Sequence, residues 1–435
     1  MVFIRLVAFS FLFVCLCSIK LCKKVFNPLT VMCGIWSVIL FLSSFCLFDL
    51  TQASINSYLV LAVGVIFFSI GFFVRYYKRK SIKLILGSKT SCSDITFELR
   101  DNIVWALLIF TLIFELAHAG QSISILLSGG SLDNVLSAVR DNAQNVRGTI
   151  TNVINNLIVG PFKFAIFPIC AYNIANKQNK IMTFLILLLL GIGVISSGGR
   201  VFIIYLIVGL CVSFTLSPND KKDLIKKIIT SKKQKKRFIS LLVIMFLAFI
   251  FLSKSRSGSK LLQHMYLYFS MQPIMFETWA KTISDRGLYG YGLGSLNGFT
   301  FHILYIIKNV FNIPFPGHWL EVFNSIISVD TNWQPITTYG LPANAYVSAF
   351  WYFYLDARLL GIVIGSFIWG WACSSVFKNT IRKRDMKSVC IYTIILFSVV
   401  DSYVRIRFAT GDFVGGLLLL SFVLFKKKYT YISTD

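Results

Sequence analysis

Acidic residues are scarce in this sequence, and its longest polar stretch has no cysteine. Only 18 Asp and Glu stand against 43 Lys and Arg, and charged residues of both signs make up 14% of the 435 positions. A soluble globular surface needs more charge than that. The stretch from 253 to 357 contains no cysteine, which excludes a disulfide framework or a Cys-ligated metal site there. All ten cysteines (Cys15, Cys17, Cys22, Cys33, Cys46, Cys92, Cys170, Cys211, Cys373 and Cys390) fall in apolar runs or basic loops. The four histidines, His118, His264, His302 and His318, match no HExxH spacing. The run GLYGYGLGSLNG lacks the GxGxxG spacing and a preceding strand. No internal repeat of the transporter kind is evident, and the first apolar stretch has no small-residue cleavage site.

What is abundant is apolar surface: hydrophobic residues are 56% of the chain. Runs of about 17 to 25 apolar residues cross a bilayer as helices, and about eleven are legible. They lie near 2–19, 29–48, 57–74, 102–119, 156–173, 181–196, from 201 onward, 238–252, 359–377, 388–402 and 408–425. The expected fold class is an all-α polytopic membrane protein, a single integral membrane domain over 1–435. Two outer segments interrupt it, at 120–155 and at 253–357.

The net charge of +25 follows that pattern, so it does not point to nucleic acid. Loops on one side hold 29 of the 43 Lys and Arg, which makes that side cytoplasmic. The N-terminus is then periplasmic and the C-terminus cytoplasmic. Arginine and lysine divide unequally: 6 Arg against 23 Lys inside, and 9 Arg (5, 140, 147, 200, 256, 286, 358, 405 and 407) against 5 Lys outside. Topology asks only for charge. A planar guanidinium grips phosphate or carboxylate through two bonds, so an anionic ligand at the outer face is expected, with lipid phosphate as the other taker. Arg200, the last residue of SSGGR, sits at an outer hairpin tip. Arg140 and Arg147 lie two turns apart on the amphipathic segment GGSLDNVLSAVRDNAQNVRG, and Arg256 and Arg286 lie in the large outer loop.

Within that loop, LLQHMYLYFSMQPIMFETW and FTFHILYIIKNVFNI read as interfacial or re-entrant helices. Tyr289 and Tyr291, in the glycine run, offer faces on which sugars could stack. His318 and Glu321 stand one helical turn apart, as a base with its orienter or as a structural hydrogen bond. Asn344, Ser348, Tyr352 and Asp356 recur every four residues and on a helix would form a polar stripe. Asp356 then suits a general base or a sugar-hydroxyl acceptor; equally it could pair with Arg358 or cap the next helix. Glu115 and His118, near the outer end of the fourth run, would face the bundle interior or snorkel to the interface.

The eleven runs, the late outer loop, SSGGR, and NAYVSAFWYFYLDARLLG before a span together resemble the Wzy-type polymerases of O-antigen and capsule repeat units. Asn344, Asp356 and Gly361 match the family pattern, whereas Ala357 and Arg358 replace its aromatic and glycine. The resemblance implies a metal-independent glycosyltransferase of the bacterial inner membrane, without cofactor. It would join undecaprenyl-pyrophosphate-linked repeat units at the outer face, with a lipid-linked donor and acceptor, membrane lipids and a chain-length regulator as partners. With that chemistry laid on the residue patterns above, Asp356, His318 and Glu321 would be catalytic. Arg200, Arg140, Arg147, Arg256, Arg286, Asn344, Tyr289 and Tyr291 would bind substrate. A flippase for the same unit, or an O-antigen ligase or other polyprenyl-phosphate-dependent glycosyltransferase, is the alternative.

Overall fold

A computed structural model describes residues 1–78, 94–129, 149–197, 201–216, 239–240, 243 and 260–430. It is mostly helical, 79%, with little sheet. Its helices are α1 Val2–Cys22, α2 Pro28–Ser43, α3 Ile55–Tyr77, α4 Asp101–Leu127, α5 Ile150–Asn176, α6 Lys180–Ser197 and α7 Val201–Leu216. There follow α8 Leu261–Tyr268, α9 Gln272–Asp285, α10 Asn297–Phe311, α11 Gly317–Thr331, α12 Ala349–Lys383, α13 Met386–Val400 and α14 Gly411–Val423. Six of the described helices are long and apolar enough to cross a membrane: α1, α3, α5, α12, Asp101–Gly120 of α4, and Met386–Tyr403, which includes α13. Apolar α2, α6, α7 and α14 are shorter, and the expected run at 238–252 lies mostly outside the described residues. The fold is thus consistent with an all-α membrane protein, with six candidate spans among its described residues.

Two compact units divide the chain. Unit 1 comprises Met1–Lys83, Leu262–Lys378 and Ile395–Gly415; unit 2 comprises Leu84–Leu261, Asn379–Ile394 and Gly416–Asp435. In unit 1, the Asn27 side chain caps α2 by accepting from the Thr30 N–H at 2.9 Å, and Pro28 opens the helix at its first turn. Helices α3 and α12 pack backbone against backbone through small residues, as membrane helices do. A Cβ on Gly71 would lie 2.0 Å from the Phe367 carbonyl oxygen, and one on Gly370 2.0 Å from that of Phe68.

In unit 2, Tyr205 on α7 donates its hydroxyl to the Phe164 carbonyl at 2.8 Å, satisfying a polar group inside an apolar bundle. Lys163 on α5 pairs with Glu115 on α4 at 2.6 Å, with both side chains largely buried. Glu115 therefore faces the interior. His118 bonds through Nδ1 with the Phe114 carbonyl at 2.7 Å, one turn back along its own helix.

Several boundaries differ from the sequence expectation. Helix α4 runs on to Leu127, because Ile123, Ile125, Leu126 and Leu127 continue a helix-forming apolar sequence until Gly129 turns left-handed with φ 84°. Basic ends expected to be loops form a strand pair: β1 Asp94–Leu99 runs antiparallel to β4 Phe425–Thr430. Alternation of Ile95, Phe97 and Leu99 with polar neighbours suits a strand, and Glu98 bridges Lys426 and Lys428 across it. A second pair, β2 Gln334–Pro335 with β3 Pro342–Ala343, is only two residues long. The amphipathic segment at 130–148 lies outside the described residues.

Candidate functional site

Helix α12 is two helices. Ala349–Asp356 ends at a break, where Ala357 has φ −156° and Arg358 has φ 54°, ψ −138°, and the apolar remainder then runs to Lys383. The short helix folds back on its continuation: a Cβ on Gly361 would lie 2.0 Å from the Phe353 carbonyl oxygen, and one on Gly365 2.4 Å from the Phe353 ring. A helix that stops leaves carbonyls without partners. Here the glycine run supplies them, with Gly290 N–H donating to the Leu355 carbonyl at 2.8 Å and Tyr291 N–H to that of Asp356 at 3.1 Å.

The Asp356 side chain answers in kind. Its Oδ1 accepts from Gly294 N–H at 2.7 Å and its Oδ2 from Ser295 N–H at 3.0 Å, and the residue is 7% exposed. Four bonds thus clasp the loop to the helix end. Glycine is required at this approach, because a Cβ on Gly290 or Gly294 would lie 2.6 or 2.7 Å from Oδ1.

The clasp presents aromatic faces. Tyr289 and Tyr291 stack with centroids 6.0 Å apart, and the Tyr291 ring lies 5.8 Å from that of His318 at the start of α11. Tyr291 is 78% exposed, so one broad ring is open to a ligand. Behind it the Arg358 guanidinium lies 4.4 Å from the Tyr289 centroid and 5.3 Å from that of Tyr354, and its Nη2 donates to the Ile283 carbonyl at 3.1 Å.

A second cluster in unit 1 lies where the chain passes from α13 to α14. Arg405 forms a two-pronged pair with Asp330 of α11, Nη1–Oδ2 2.8 Å and Nη2–Oδ1 2.6 Å. Arg407 Nε pairs with Asp401 Oδ2 at 2.6 Å, both side chains being nearly buried. Burial alone would lower the Arg405 pKa; Asp330 more than offsets it, so the guanidinium is held more firmly charged than usual. Ser348 N–H donates to the Val404 carbonyl at 3.1 Å, and Tyr352 is buried within the field of all four charges.

Of the residues singled out by sequence, the structure brings together Tyr289, Tyr291, His318 and Asp356, the last through the backbone of the loop. His318 and Glu321 are exposed one turn apart on α11, with no hydrogen bond or ion pair between them. Arg286 is exposed at the end of α9. The polar stripe does not form: the helix starts only at Ala349, after Ala345 and Ser348 take φ of 71° and 74°, and Asn344 turns away to the Asp330 carbonyl. Arg200, Arg140, Arg147 and Arg256 lie outside the described residues. Among the described residues no three His, Cys, Asp or Glu gather as a metal-holding group.

The roles of Asp330, Asp401 and Arg358 escaped sequence reasoning. A signal existed for the first two: a pair of arginines two residues apart between apolar runs needs carboxylates nearby if it is to be buried. No family model matches this chain, and no curated protein or solved structure matches it either.

Proposed function

We propose that this protein is a membrane glycosyltransferase that polymerises polyprenyl-pyrophosphate-linked oligosaccharide repeat units at the outer face of a bacterial inner membrane. The observation that carries the proposal is the clasp, which fixes an open tyrosine face at the foot of an apolar helix. Pyranose rings stack on such faces, while a polyprenyl tail stays in the bilayer. In this reading Asp356 positions the loop and His318, exposed beside Tyr291, takes the proton. The acceptor hydroxyl oxygen attacks the anomeric carbon of the donor glycan as its proton passes to His318. The bond from that carbon to pyrophosphate oxygen breaks, and polyprenyl pyrophosphate leaves. Neither step calls for a metal.

A carrier for the same lipid-linked unit is the second reading. One observation favours it, the Lys163–Glu115 pair inside unit 2, since charges buried in spans often mark a transport path.

Reconstitution in vesicles loaded with the lipid-linked unit decides between them. Longer glycans formed in chelator support the polymerase, and His318→Ala should slow them by about 10²-fold or more at normal protein level. Transfer of the unit across the bilayer with no new glycosidic bond would favour the carrier. Movement of finished glycan onto a lipid core would favour a ligase.

A further inference from the structure

Arg358 stands where the backbone disfavours any side chain. Its φ of 54° with ψ of −138° is territory that glycine enters freely and other residues enter at a cost, which persists only where the surroundings impose it. Those surroundings hold the guanidinium rigid, between the rings of Tyr289 and Tyr354 and on the Ile283 carbonyl. They leave its Nη1 buried, with no hydrogen-bond acceptor among the described residues.

Two other arginines in unit 1 are treated differently, while Arg5 and Arg75, which also lie over rings, each donate to a serine hydroxyl. Arg405 and Arg407 each pair with an aspartate, whereas no carboxylate pairs with Arg358 among the described residues. The aspartate nearest in sequence, Asp356, is engaged by the N–H groups of Gly294 and Ser295. A buried donor on a fixed cation calls for an anion. If Arg358 served only to complete the break in α12, glycine would do so with less strain.

We propose that Arg358, between Tyr289 and Tyr354, is a phosphate-binding residue at the head of the apolar part of α12. Nη1 donates to a phosphate oxygen of a lipid-borne phosphate ester. Two lipids carry that chemistry, the polyprenyl-pyrophosphate substrate and a phospholipid headgroup; assigning it to the substrate rests on the transferase reading above. The phosphate end would then lie behind the tyrosine face on which the sugar stacks.

The test uses full-length protein in phosphatidylcholine nanodiscs, titrated with inorganic pyrophosphate and followed by calorimetry. The parent should bind saturably, Arg358→Lys about tenfold more weakly, and Arg358→Gln and Arg358→Gly not measurably. Arg358→Gly should melt at or above the parent temperature, since the strain is gone. Should it melt early, Arg358→Lys and Arg358→Gln carry the decision. Parental pyrophosphate binding by the folded variants overturns the substrate assignment. The residue then remains a phosphate site only if native mass spectrometry shows that the variants lose phosphatidylglycerol retained by the parent; equal retention overturns the site altogether. Binding that depends on Arg358 in a protein making no polymer would sink the transferase reading alone. Polymer formed by Arg358→Gly at parental KM would sink the site and spare that reading.

Discussion

Arginine meets aspartate in two places in unit 1, with opposite results. Between α13 and α14, Arg405 and Arg407 each find a carboxylate, and charge closes on itself. At the break in α12, Asp356 and Arg358 stand two residues apart and do not pair: the acid turns to backbone N–H groups and the base lies between tyrosines. The first arrangement is a brace, because a matched pair has little left to offer a ligand. The second leaves a cation and open aromatic faces, which is how a site differs from a strut. Neither place could be told from the other by counting charges.

Breaking the brace should have the largest effect. Asp401→Ala leaves the Arg407 guanidinium nearly buried without its partner, at a cost of about 3–5 kcal/mol. Thermal melting in nanodiscs should drop steeply, and pairing Asp401→Asn with Arg407→Gln should recover part of the loss. A single change that melts like the parent would show that the pair is not a brace. Loosening the clasp comes next. Asp356→Asn keeps one of the two bonds to the loop without its charge and sets an NH2 group against the other N–H, about 1.5–3 kcal/mol together, and should let trypsin cut at Arg286 in the neighbouring segment. If trypsin leaves Arg286 intact in that variant, Asp356 does not hold the loop. Removing only a face should do least. Tyr291→Ala costs one stacking surface, about 1 kcal/mol, and should raise KM about fivefold with melting unchanged, while Tyr291→Phe stays near parental. An equal loss with Phe would mean that the hydroxyl, not the ring, meets the ligand.

Membrane helices are the part of this fold most legible in sequence, because a run such as that of α3 repeats one message along its whole length. Residues that act across the chain are not. GLYGYGLGSLNG reads as a glycine loop with tyrosines, but nothing local says that two of its glycines, Gly290 and Gly294, make room for the carboxylate of Asp356 far along the chain. The four-residue spacing from Asn344 to Asp356 suggests a stripe. The positive φ at Ala345 and Ser348 defeats it, since the Ser348 N–H serves the Val404 carbonyl instead of a helix. Arg405 can be read as an outer cation. Its partner Asp330 lies 75 residues away, on the helix that starts at Gly317 just after Pro316.

The clasp between residues 290–295 and the end of the short helix is made from N–H groups, two carbonyls and one carboxylate. Main-chain groups are the same in every amino acid, so apart from Asp356 and the glycines it approaches, the arrangement constrains how many residues lie between fixed points more than which residues they are. Leu293 can drift in identity, whereas Tyr291 supplies the open ring and Gly292 takes a left-handed φ of 92°; one residue inserted or removed there would slip every bond at once. A loop anchored in this way conserves length while its letters change, so descendants of one ancestor could keep this corner of the fold after their sequences had ceased to look alike.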